Sequence, residues 1–253
     1  MQDEHGRQAR LRASHTRQAI RTRLASGPVH SYLRDFIYGA IDGAVTTFAV
    51  VSGVAGADLS NSIVVILGIA NLIGDGFSMA AGNFLGVRAE RQQREQLRAM
   101  ELQHISDYPE GEREEVREIF RQKGFENDDL ERAVDIITAN RDRWVRTMLT
   151  DEHGVALSGP SAMRAALVTF AAFLLVGSVP LLTFVFEYLG MSVDNPFFWS
   201  ATLTGFAFFL TGALKSRFVE QSWLSAGLET LAVGGSAAAL SYVVGALLGG
   251  LAR

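Results

Sequence analysis

The sequence predicts an all-α membrane protein: five transmembrane helices, with a cytoplasmic helical insert between the second and the third. Three observations carry that expectation. Apolar residues gather into five long blocks, charged residues gather between the blocks, and Lys and Arg alternate from one side to the other along the chain. Length alone, 253 residues with a net charge of -4, would suit one or two water-soluble domains. The patterning overrides it, and the modest mean hydropathy of +0.17 averages apolar blocks with a hydrophilic insert.

Phe36–Ala55 is an apolar run of 20 residues broken by one charge, and Ser62–Val87 is a run of 26 with one charge. Met163–Phe186, Phe197–Leu214 and Leu224–Leu251 follow. Each has roughly the length a helix needs to cross ~30 Å of hydrocarbon at ~1.5 Å per residue. Residues 1–35 carry seven Arg, the 56–61 connection carries no Lys or Arg, and the 88–162 segment carries twelve. Arg164 lies just beyond that segment, the 187–196 connection has none, and Lys215 and Arg217 follow the fourth block. Positive charge marks the cytoplasmic side. The amino terminus and the insert are therefore expected in the cytoplasm, with the carboxyl terminus outside. The organisation reads as a basic cytoplasmic tail over 1–34, helices one and two over 35–87, the insert over 88–160 and helices three to five over 161–253.

The tail is Arg-rich and has no apolar stretch of its own, so it does not read as a cleaved secretory signal. It reads as a solvated basic segment near anionic lipid, with a transit peptide as the other reading. The chain has no cysteine, which removes disulfides and thiolate metal sites. Gly39 with Gly43, and Gly82 with Gly86, have the small-xxx-small spacing that permits close helix contact.

The insert is charged and helical in pattern. Arg88–Ile105 continues the second helix without a breaker, "SDYPEGEREEVREIFRQKGF" starts a helix after Pro109 and stops at Gly124, and the following stretch supplies a third and a fourth short helix. Such a bundle has few apolar residues, so it is expected to need a partner, a metal ion or a second subunit.

Within the membrane blocks, Asn71, Asp75, Met79 and Asn83 recur at four-residue steps and form a slowly drifting stripe on one helix face. Asp42, between Gly39 and Gly43, lies about 12 Å inside Arg34, at a depth similar to that of Met79. Glu229 lies early in the fifth block. A lone carboxylate in lipid costs at least ~2.5–3.5 kcal/mol. Either these acids are protonated groups that bond helices together, or they line an ion pathway. Carboxylate and amide oxygens with one thioether suit a divalent transition metal better than Ca²⁺ or Mg²⁺.

In the insert, Glu101 and His104 are three residues apart on one helix, and Glu112, Glu115 and Glu118 repeat that spacing on the next. Met148 and Glu152 are four apart, with His153 adjacent. Glu110, Glu114 and Glu118 read as a solvated acidic face. The remainder combine carboxylate, imidazole and thioether, a donor set for a borderline transition metal. Glu-x-x-His also occurs in di-iron bundles, which need two such motifs and two more glutamates; this chain has one motif. No nucleophile elbow, phosphate loop or zinc-protease motif is present.

These residues carry a resemblance. "DFIYGAIDGAVTTFAVVSGVAG", with its Asp42-Gly43 pair, and "GIANLIGDGFSMAAGNFLGVRAE", with Ser78-Met79, resemble the first two helices of the vacuolar iron transporter family, which includes bacterial members. "YVVGALLG" near the end is similar too, and the likeness runs from about Asp35 to Leu251. It implies five transmembrane helices per subunit, a homodimer, and a cytoplasmic helical metal-binding domain between helices two and three. It implies proton-coupled export of Fe²⁺ from the cytoplasm to vacuole or exterior, with Mn²⁺ and related ions accepted. By local pattern the metal-domain ligands fall on Glu101, His104, Glu112, Glu115, Met148 and Glu152, and Asp42 and Met79 fall on the family's membrane motifs; Asp75, from its place within the span, is expected as a third membrane ligand. Asn71, Asn83 and Glu229 are further pathway candidates.

Three positions depart from the family pattern: His104 and Asn71 stand where glutamates are expected, and Asp75 stands where a small residue is expected. The carboxylate has moved one helical turn, and the swap to His favours Zn²⁺ or Co²⁺ or alters pH dependence. The expected function is a proton-coupled exporter of Fe²⁺ and Mn²⁺, not an enzyme. A membrane-anchored ferroxidase and a metal-sensing scaffold are the alternatives, and neither needs the intramembrane acids. The expected partners are a second copy of the chain, membrane lipid, divalent metal ions and protons. Neither nucleic acid nor a prosthetic group is expected. The expected location is a bacterial inner membrane, or a vacuolar membrane in a eukaryote.

Overall fold

The computed structural model describes residues 6, 8, 11–26 and 31–251, and the expected 1–34 tail falls partly outside them. The chain divides into two units, Met1–Ser31 and Tyr32–Arg253. In the first, helix α1 covers Arg17–Ser26. The second holds α2 Leu33–Gly56, α3 Asn61–Asp107, α4 Pro109–Gln122, α5 Asn127–Thr138, α6 Arg141–Thr147, α7 Ala162–Gly177, α8 Leu182–Tyr188, α9 Pro196–Lys215 and α10 Trp223–Leu248. No strand occurs among the described residues.

Five helices are long and apolar enough to cross a membrane: α2, the first half of α3, α7 with α8, α9, and α10 with its last turn. The third span differs from the expected single helix. Pro180 supplies no N–H, so the chain passes through one 3₁₀ turn, Val179–Leu181, between α7 and α8. The Ser200 hydroxyl donates to the Pro180 carbonyl at 2.6 Å, tying this turn to α9. Thr204, Thr211 and Thr230 likewise donate to carbonyls four residues back, which satisfies hydroxyls that would otherwise be unpaired in hydrocarbon.

α2 packs between α7 and α10. Gly39 and Gly43 allow that approach, because a Cβ at either would collide with the Thr169 or the Phe173 carbonyl oxygen of α7. Gly82 and Gly86, the other expected pair, meet nothing and lie exposed on α3. The membrane core centres on Val51, Phe173, Leu181 and Phe208, each 2 % exposed or less.

α3 spans 47 residues and carries its axis straight from the apolar segment into the insert. α4 begins at Pro109 itself, whose missing N–H is no loss in a first turn, with Glu110 and Glu112 at the positive end of the helix. Arg117 bridges α4 to Glu131 of α5 at 2.7 Å, and Arg113 reaches Asp135 at 2.6 Å. The insert also has an apolar core of its own, formed by Ile105, Val116, Leu130, Val134, Trp144, Val145, Met148 and Leu149. That core is larger than the composition suggested, since its members come one or two at a time from five separate helical segments.

Candidate metal-binding centre and transmembrane cavity

The insert brings together most of the side chains that the sequence marked. Glu101 comes from the last turns of α3, Glu112 from the first turn of α4, and Glu152 and His153 from the turn that follows α6. Among the described residues, Glu101, Glu152 and His153 form a group whose ligand atoms all lie within 4.8 Å of one another. His153 Nε2 is 2.8 Å from Glu101 Oε1 and 3.7 Å from Glu152 Oε2. His104 Nδ1 is 3.2 Å from Glu112 Oε1.

Glu101 and Glu112 are 1 % and 5 % exposed, and the second oxygen of each is buried with no hydrogen-bond partner. An unpaired buried carboxylate oxygen costs on the order of 1–3 kcal/mol or more. Burial, then the charges of Glu115 and Glu101, push the Glu112 carboxyl up to about 7, while His104 opposes the shift. Burial also raises Glu152, against the nearby His153. The hydrogen bond to Glu101 raises His153. Exposed Glu115 adds charge from α4. Four carboxylates thus share one small region with two imidazoles, a charge excess that a divalent cation would relieve.

The chain after α6 does not stay α-helical. Met148–Glu152 forms a single π turn, closed by His153 N–H donating to the Met148 carbonyl at 3.2 Å. Such turns recur at functional sites. The four-residue spacing of Met148 and Glu152 therefore does not place them as an α-helix would. Met148 is fully buried in the apolar core, and His153, one residue outside the expected ligand set, joins the carboxylates. Its adjacency to Glu152 was the only sequence signal for it.

Within the membrane segment, Asp42 and Met79 line one cavity of about 730 Å³, with Arg34 and Lys215 also in its wall and Ile37, Ile41 and Val45 among its apolar lining. Asp75 is exposed on α3, within electrostatic reach of Asp42. Asn71 is half-buried, and its amide nitrogen has no partner. Asn83 is committed elsewhere: it donates to Asp35 and to Thr169, both at 2.8 Å, tying α3 to α2 and α7. Glu229 lies near the start of α10, where Lys215 and Gln221 hold it at 3.3 and 3.2 Å.

Fold and site together define a class, a multi-pass membrane protein with a carboxylate-rich helical insert and acids within its spans. Residues 33–246 match the model of the VIT family, and the chain belongs to that family. It is 33% identical over 224 residues to the vacuolar iron transporter of Toxoplasma gondii, covering 86% of this chain and 74% of that one. It is 31% identical over 211 residues to vacuolar iron transporter 1 of Arabidopsis thaliana, covering 83% of each. The vacuolar iron transporter of Plasmodium falciparum is 27% identical over 225 residues, covering 85% of this chain and 82% of that one. Members of the family are transporters rather than enzymes, which removes the ferroxidase alternative.

Proposed function

We propose that this protein is a homodimeric, proton-coupled exporter of divalent transition metal, Fe²⁺ and also Mn²⁺, from the cytoplasm across a bacterial inner membrane. The amino terminus and the insert face the cytoplasm. The observation that carries the metal reading is the pair of buried carboxylates, Glu101 and Glu112, each with an oxygen that has no hydrogen-bond partner among the described residues. Side chains placed for stability alone would not leave two such oxygens beside His153 and His104. Glu101, Glu152 and His153, with Glu112, His104 and Glu115 nearby, capture the ion. Met148 lies beneath them as a soft donor in reserve.

From the insert the ion passes to Asp42 and Met79 in the transmembrane cavity. A buried carboxylate holds either a proton or a cation, which is the exchange that coupling requires. Asp75 serves as the second such group, since Asn71 cannot take a proton. The dimer reading draws support from α3. Ala70, Gly74, Ser78, Gly82 and Gly86 form an exposed small-residue stripe beside exposed Asp75. A carboxylate facing lipid at that depth is costly, and a second protomer across the stripe would cover it.

The test is uptake of Fe²⁺ and Mn²⁺ into proteoliposomes with and without a pH gradient. Uptake that rises with an opposing proton gradient supports the reading. Uptake indifferent to the gradient removes proton coupling, and no uptake of either ion removes the transport reading.

A further inference from the structure

A second cavity, of about 890 Å³, lies between the part of α3 beyond its apolar segment and the linker that leads into α7. Arg88, Arg91, Arg94 and Arg98 line it from α3, and Glu95 is the one acidic residue among the described residues of its wall. Steps of three and four place these arginines on one helix face. Arg91 pairs with Glu95 at 2.8 Å, and Arg98 pairs with Asp142 at 3.3 Å. Arg88 and Arg94 have no carboxylate partner among the described residues. Two guanidinium charges are therefore left uncompensated at one cavity.

The opposite wall adds to the same sign. Arg94 lies against Gly159, where a Cβ would collide with its guanidinium nitrogens. Ala162 and Met163, the first residues of α7, also line the cavity. α7 is 16 residues long, with no acidic residue in its first turn and no side-chain cap. The Ser161 N–H donates to the Tyr32 hydroxyl at 3.0 Å, but beyond it neither a side-chain cap nor a first-turn carboxylate answers the positive end of the helix dipole among the described residues. Helix amino termini and arginine forks are the two groups that recognise phosphate best. The cavity sits where the apolar segments end: Val87 and Phe84 line it from α3 and Met163 from α7.

We propose that this cavity binds a phosphate-bearing anion, held by Arg88 and Arg94 and by the amino terminus of α7. The same chemistry is offered by the head group of an anionic phospholipid and by a soluble phosphate compound. The level of the cavity at the edge of the apolar segments suits the former. The site shares no side chain with the carboxylate group of the insert or with the transmembrane cavity, so its fate is independent of the transport reading.

The experiment follows the thermal unfolding midpoint of the purified full-length protein in detergent. Phosphatidylglycerol is titrated in one arm, inorganic pyrophosphate in a second, and zwitterionic phosphatidylcholine gives the baseline. Wild type, Arg88→Gln and Arg88→Gln/Arg94→Gln are compared. Arg88 is exposed and unpartnered, so the single variant keeps the fold. The expected result is a rise in midpoint above baseline in wild type, with the half-saturating concentration several-fold higher in the single variant and about tenfold or more higher in the double variant. A rise with phosphatidylglycerol alone identifies a lipid site, and a rise with pyrophosphate identifies a soluble phosphate site. No rise with either, or equal rises in wild type and Arg88→Gln, overturns the proposal.

Discussion

Glu101 Oε1 lies 2.8 Å from His153 Nε2, although the two residues are 52 positions apart in the chain. The pair is formed by the end of α3 and the π turn after α6, and the other Glu101 oxygen is left without a partner. The bond holds the imidazole in place and leaves one carboxylate oxygen free for a cation. Glu101→Gln keeps the shape and the bond while removing the charge. The expected outcome is metal affinity reduced about tenfold or more, with the metal-free protein no less stable than wild type. Calorimetric titration of the full-length protein with Mn²⁺, alongside thermal unfolding, checks both halves.

The pH dependence has a definite sign. Glu112, Glu152 and His153 all hold protons more tightly in the folded metal-free protein than in the unfolded chain. The stabilisation from Glu112 is complete below its unfolded value of 4.5 and is lost as the pH rises through about 7. His153 and Glu152 act in the same sense. Glu118, lowered by Gln122 and Arg121, and Glu131, lowered by Arg117, act in the opposite sense, and only at the acid end. Between about pH 5 and 7.5 the metal-free insert should therefore lose stability, and Mn²⁺ should restore it by replacing the protons. Fluorescence of buried Trp144, with Trp199 and Trp223 changed to Phe, reports the transition.

Much of this arrangement was legible in the sequence. The five spans were, because hydrophobic length and Lys/Arg alternation are properties of contiguous stretches. The closeness of Asp42 and Met79 was, because Asp42 lies eight positions after Arg34 and Met79 eight before Val87, the end of its apolar run. The role of His153 was not, because a π turn shifts which residues share a face and nothing in "MLTDEH" announces one. The break at Pro180 was missed because the apolar pattern runs through it. The insert core was underestimated because Val116, Val134 and Trp144 are isolated among charges and meet only in three dimensions.

His104 Nδ1 lies 3.2 Å from Glu112 Oε1, at a position where the family resemblance expects a glutamate. His104→Glu replaces a borderline nitrogen donor with a hard oxygen donor. It should lower Zn²⁺ affinity relative to Mn²⁺, by severalfold in the ratio of the two. Competitive titration of both ions against wild type and variant measures it, and an unchanged ratio would take His104 out of the ligand set.

Gly43 tests the membrane packing. A Cβ there meets the Phe173 carbonyl oxygen and its Cα, backbone atoms that cannot turn aside. Gly43→Ala should destabilise the bundle by about 1–3 kcal/mol, whereas Gly82→Ala, with nothing near it in the protomer, should not. A large effect at Gly82 would instead mark the α3 stripe as a packed dimer face, readable as a loss of dimer on size-exclusion chromatography.

The central claim is that Asp42 carries the metal through the membrane. Its side chain lines the cavity with Met79, and Asn at this position preserves the shape while removing the charge. The direct measurement is metal-driven proton flux in proteoliposomes loaded with a pH-sensitive dye, comparing wild type with correctly inserted Asp42→Asn. Wild type should move protons against Fe²⁺ or Mn²⁺, and Asp42→Asn should move neither. Proton and metal flux at the wild-type ratio through Asp42→Asn would contradict the account.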